Sequence, residues 1–164
     1  MNATSQVKNN VYSGLDISAE VNAPLHTATT NVSSRKQSLK ALNKALKKSP
    51  DQLHTLVKMY KFYFNRGDIG KAEEIVFQTL VKASLKGGFS NDWRELSITS
   101  TDWSDPAGAG RIFLSSLKAL ALIRVRQDMR RDARKILRTL KRLDPHDQVG
   151  AYVIRDLLEG LSEN

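Results

Sequence analysis

Residues 65–80 read NRGDIGKAEEIVFQTL, and how this stretch is read decides the fold. Arg66-Gly67-Asp68 is the tripeptide that some extracellular ligands present to integrins, but the same residues also form a plausible turn between two helices. Gly67 supplies the backbone freedom that a tight helix–helix turn requires, and Asp68 is a good cap for a following helix. Beyond it Ile69, Ala72, Ile75, Val76, Leu80 and Ala83 recur on one face at helical spacing, and Gly87-Gly88 closes the run. Upstream, Leu53, Leu56, Val57, Tyr60 and Phe64 make a second apolar face, widened by Met59 and Tyr63. The stretch is therefore expected to be the middle of a helical hairpin. An adhesion loop would have to be extracellular, and no residue pattern here argues for secretion.

The same helical period extends outward in both directions. In SRKQSLKALNKALKKSPDQ, Leu39, Leu42 and Leu46 keep it; Pro50 ends the segment and Asp51 is placed to cap the next helix. After the hairpin, GGFSNDWRELSITSTDWSDPAGAG is rich in Gly, Ser, Thr and Asp and reads as a long irregular link. Ser104-Asp105-Pro106 has the form of a helix start. Ile112, Phe113, Leu117, Leu120, Ala121 and Val125 carry the next helix, and Ala133, Ile136, Leu137 and Leu140 the one after Gln127-Asp128. Leu143-Asp144-Pro145 ends it, and Asp147 is expected to cap a last helix bearing Val149, Tyr152, Val153, Leu157 and Leu161. No run alternates as a strand would, so the class is all-α.

The helices also repeat. Ser38 and Ala72, Leu42 and Val76, Ala45 and Thr79, and Pro50 and Ser84 each stand 34 positions apart. Small residues at the first and third of these sites let the second helix of a hairpin lie close against the first. With this period the chain resembles the tetratricopeptide repeat (TPR) family. Residues 51–84 carry the marks in Leu56, Met59, Tyr63, Gly67, Asp68, Ala72 and Val76. A second segment, from about Leu114 to Pro145, carries Leu117, Leu120, Ala121, Ala133, Leu137, Leu140 and Leu143-Asp144-Pro145. The pattern departs at Tyr60, bulky where the family has a small residue, at Asp128 in place of the turn glycine, and at Arg124 in place of an aromatic. Ala72 and Ala133 are 61 positions apart, short of two full periods, so the array is irregular.

The resemblance implies helical hairpins stacked in a short right-handed superhelix. The domain would span 33–164, with an irregular link at about 85–105 and a C-terminal capping helix at about 147–161. Residues 1–32, polar and without a period, are expected to be a disordered, flexible tail. TPR arrays hold peptide segments on the concave surface of their first helices, and by that register His54, Val57, Lys61, Phe64 and Asn65 would face the groove. Small helical-repeat chaperones and adaptors of bacterial secretion systems look similar in size and organisation.

Composition narrows the chemistry. A net charge of +9 favours acidic partners. Cysteine is absent, which removes disulfides, thiol nucleophiles and most structural zinc sites. No apolar run approaches the length of a membrane span, and no secretory leader pattern opens the chain, so a cytoplasmic location is expected. His26, His54 and His146 are scattered, and neither a phosphate-binding loop nor a nucleophile elbow occurs. The chain is therefore expected to be non-catalytic, without metal or cofactor.

Two further features stand out. Trp93 and Trp103, each after an aspartate in the polar link, are expected to anchor that link on the core; an exposed anchor for a partner is the other role open to them. Arg126, Arg130, Arg131, Arg134, Lys135, Arg138, Lys141 and Arg142 crowd the fifth helix or its approach against only Asp128 and Asp132. A solvated helix ordinarily mixes signs to gain pairs one turn apart, and this one largely forgoes them. Arg131, Arg134, Arg138 and Arg142 are thus expected to dock an acidic surface. Together these features point to an adaptor or chaperone that binds another protein through a peptide segment or acidic surface. Two alternatives stay open: a nucleic-acid-associated protein using the basic helix 126–142, and a self-associating scaffold subunit.

Overall fold

The computed structural model describes residues 32–50 and 52–161, with side chains from residue 35 onward. The tail expected over 1–32, apart from its last position, and the cap expected at Asp51 lie outside the described residues. Among the described residues every regular element is a helix: α1 (Val32–Lys48), α2 (Leu53–Asn65), α3 (Ile69–Gly87), α4 (Ala109–Arg126), α5 (Arg130–Leu143) and α6 (Tyr152–Gly160). Packing follows chain order, with extensive contact of α2 on α3, α3 on α4 and α4 on α5. The two ends, α1 and α6, make much smaller contacts.

The sequence signals explain each hairpin. Gly67 adopts φ +77°, and the Asp68 N–H donates back to the Tyr63 carbonyl at 3.0 Å, closing the turn. The Asp68 carboxylate then accepts from the Lys71 backbone N–H at 3.4 Å and caps α3. The turn between α4 and α5 repeats this geometry without a glycine. Asp128 is itself left-handed, at φ +60°, and the Met129 N–H donates to the Arg124 carbonyl at 2.8 Å. Gly67 and Asp128 stand 61 positions apart, as do Ala72 and Ala133, which are both fully buried. The hairpins α2–α3 and α4–α5 therefore correspond at their turns and at this buried position, although their helices differ in length.

The core runs through these four helices. Leu56, Val76, Phe113, Leu114, Leu117, Leu120 and Ala133 are fully buried within it. Burying the larger of these, Leu, Val and Phe, contributes about 1.5–3 kcal/mol each. Phe62 is buried too, outside that cluster, so α2 is covered on more than one side. In α1 the leucines Leu39, Leu42 and Leu46 are only half-buried.

The link over 88–108 has no regular structure but is pinned at its centre. Trp103 packs against Phe89 and Phe113, with ring centroids 5.2 Å apart for Phe89–Trp103 and 6.2 Å for Trp103–Phe113. Its indole N–H donates to the Ser97 carbonyl at 2.9 Å. Gly110 permits the close approach, since a Cβ there would meet Thr101 at 3.1 Å and Trp103 at 3.2 Å.

Two helix starts differ from expectation. The helix expected from Ser104-Asp105-Pro106 begins at Ala109, because the Asp105 carboxylate accepts from the Ala107 N–H at 2.9 Å and spends the proline on a preceding turn. The last helix begins at Tyr152, and Asp147 reaches forward to cap it, accepting from the N–H groups of Ala151 (2.7 Å) and Tyr152 (3.0 Å).

Candidate functional site

Two concavities lie on different faces of the hairpin stack. The first is a groove of about 360 Å³ walled by α2, α4 and the turn over 147–150. From α2 it receives His54, Val57, Tyr60 and Lys61, and from α4 Arg111, Ile112, Ser115 and Lys118. Tyr60 sets its depth. The ring is buried where a small residue would let α2 and α4 close on each other, and these helices make little backbone contact. Burial pushes the Tyr60 hydroxyl up to about 12, with the facing Ser116 hydroxyl working in the opposite direction.

The far wall of the groove is held by polar contacts. Asp144, buried at the end of α5, accepts from the Val149 N–H at 2.9 Å. The buried Lys118 ammonium donates to the Val149 carbonyl at 2.5 Å. Arg111 donates to the Gln148 side chain and to the Ser104 carbonyl, and leaves its Nε–H without an acceptor among the described residues. The result is an apolar floor of Val57, Tyr60, Ile112 and Val149 with a mainly cationic rim.

Three of the five groove residues expected on α2 therefore come together: His54, Val57 and Lys61. The other two do not. Phe64 is buried in the core, with the Arg126 guanidinium 5.9 Å from its ring centroid, and Asn65 lies exposed one turn beyond Lys61. The α4 and 147–150 contributions were missed by the sequence reading, since register on α2 says nothing about which residues face it across a gap.

The second concavity is a cleft of about 670 Å³ between α5, the C-terminal end of α4 and the link. Arg138 and Arg142 line it with Lys135, Ile136, Thr139 and Asp132 from α5, Arg124 from α4, and Trp93 and Arg94 from the link. The expected docking strip thus divides: Arg138 and Arg142 face the cleft, whereas Arg131 and Arg134 are exposed outside it. Both tryptophans pack on the core. Trp103 is buried in it, and Trp93 lies half-buried against it while also lining the cleft, with the Arg94 guanidinium 5.4 Å from its ring.

Arg124 has a visible role. Its guanidinium pairs with Glu73 on α3 and donates to the Gln127 side chain at 2.6 Å, while sitting 5.9 Å from the Phe77 ring centroid. Gln127 in turn donates to Glu73 at 2.6 Å. The pair is largely shielded from solvent and ties the two hairpins together. Beyond it Phe77, Val81 and Leu85 form an exposed apolar stripe on α3.

Among the described residues no helix is long and apolar enough to cross a membrane, and no three His, Asp or Glu side chains are grouped to hold a metal ion. Compared with known proteins, the chain matches no family model, no curated protein and no solved structure.

Proposed function

We propose that this protein is a non-catalytic, tetratricopeptide-like adaptor or chaperone of the cytoplasm, which holds a segment of another protein in the groove between α2, α4 and the 147–150 turn. The observation that carries the reading is the groove itself: an apolar floor set between two successive first helices of stacked hairpins, with His54, Lys61 and Arg111 on its rim. A peptide segment brings apolar side chains for such a floor and carbonyl or carboxylate acceptors for such a rim. The equivalence of the turns at Gly67 and Asp128, and of Ala72 and Ala133 behind them, supports a repeat architecture. The 61-position spacing marks it as irregular.

The test is affinity capture of the tagged protein from its native lysate, with and without nuclease, beside a His54→Glu/Lys61→Glu variant. Both positions are on the surface of α2, so the fold is expected to be unchanged by circular dichroism. A protein retained by the wild type and lost by the variant supports the reading. Retained material that disappears with nuclease, or a partner that the variant holds equally well, overturns it.

A further inference from the structure

We infer that the cleft between α5 and the link is a second binding site, for a short acidic segment of a protein that alternates carboxylates with an apolar side chain. This rests on the reading that the chain binds protein segments, but it uses a different surface from the groove.

The charge balance of the cleft is more selective than the composition of α5 implies. Five cations line it, and three already have a carboxylate. Arg94 pairs with Asp92 at 2.7 Å, Lys135 with Asp132 at 3.4 Å, and Arg124 with Glu73. Arg138 and Arg142 have no ion pair or hydrogen bond among the described residues. They are one turn apart on α5, which separates their Cβ atoms by about 6 Å. The site therefore offers two open guanidinium groups rather than a long strip.

This arrangement favours a short peptide over a nucleic-acid backbone. A polyanion gains affinity by neutralising phosphates along a continuous run of cations. Here Glu73, Asp92 and Asp132 already pair with three of the five cations. The cleft therefore offers no continuous run for a polyanion and only two open guanidinium groups for a short segment. Two carboxylates two residues apart on an extended segment are separated by about 6.6 Å, which matches the Arg138–Arg142 spacing. The residue between them points to the opposite side. Trp93, from the link, also lines the cleft, and its indole N–H makes no hydrogen bond among the described residues. Ile136 and Thr139 provide the floor. Guanidinium groups bind carboxylates with charge-assisted hydrogen bonds, and the half-exposed indole, beside the Arg94 guanidinium on its ring, offers contact to an apolar side chain.

The probe is a short fluorescein-labelled peptide with a central Glu-Leu-Glu, titrated into the full chain and followed by anisotropy. Saturable binding is expected, weakened about tenfold or more by Arg138→Gln/Arg142→Gln, as loss of charge-assisted hydrogen bonds implies. Arg131→Gln, on the same helix but outside the cleft, is expected to stay within about twofold of wild type, as for a screened surface charge. A Gln-Leu-Gln peptide is expected to bind as weakly as the double variant does. The proposal is overturned by no saturable binding, by equal binding of the glutamine peptide, or by equal losses in the Arg131 and double variants. It is also overturned if a labelled single-stranded oligonucleotide binds wild type more tightly than the peptide. All these changes leave α2 and the groove intact, so failure here is separable from failure of the groove reading.

Discussion

Like Asp147, Asp128 departs from local backbone preference. It holds a left-handed backbone that costs a non-glycine residue roughly 1–2 kcal/mol, at the position where the first hairpin has Gly67. Its ion pair with Arg130 is exposed and offsets little of this. Asp128→Gly is therefore expected to stabilise the protein by about 1 kcal/mol, and Gly67→Ala to destabilise it by at least as much. Urea denaturation of both variants measures this, and a destabilised Asp128→Gly would show that the aspartate side chain matters more than the strain. Tyr60 gives a second expectation at this scale. Its hydroxyl is raised in the folded state, so its contribution is complete below the unfolded value near 10 and is lost as pH rises through about 12. Tyr60→Phe has no such group. Its stability should fall less steeply than that of wild type across this alkaline window, and parallel curves would refute the assignment.

At the scale of elements, the helices differ sharply in how they are held. α3 and α4 are packed on both sides by neighbours, whereas α1 touches only α2 appreciably and keeps its leucines half-buried. Local opening follows buried contact. Amide hydrogen exchange is therefore expected to be fastest in α1 and slowest in α3 and α4. Comparable protection in α1 and α4 would mean that α1 is held by contacts other than those with α2. The link over 88–108 shows the same logic in reverse. It has no regular hydrogen-bond ladder, yet Trp103, Phe89 and Leu96 fasten it to the core, and Trp93 packs against that core while half-exposed, as expected of both tryptophans.

At the scale of the molecule, the two hairpins are alike inside and unlike outside. Leu56 and Leu117, or Ala72 and Ala133, occupy matching buried positions. At the matching outer positions α3 has Phe77 and Val81 where α5 has Arg138 and Arg142. The all-helical class, the hairpin turns, the irregular link and the approximate helix ends were legible in the sequence, because periodicity and capping are local and each is written in a few adjacent residues. The assignment of Phe64 to the groove was not sound, since helical register narrows which face a residue is on without saying what covers that face. Only the tertiary structure decided that His54 and Lys61 meet Arg111 and Lys118 across a gap, and that Trp93 joins Arg138 and Arg142. Those groups come from segments far apart in the chain. Their meeting depends on the angle at which one hairpin stacks on the next, which side-chain packing sets and no local pattern encodes.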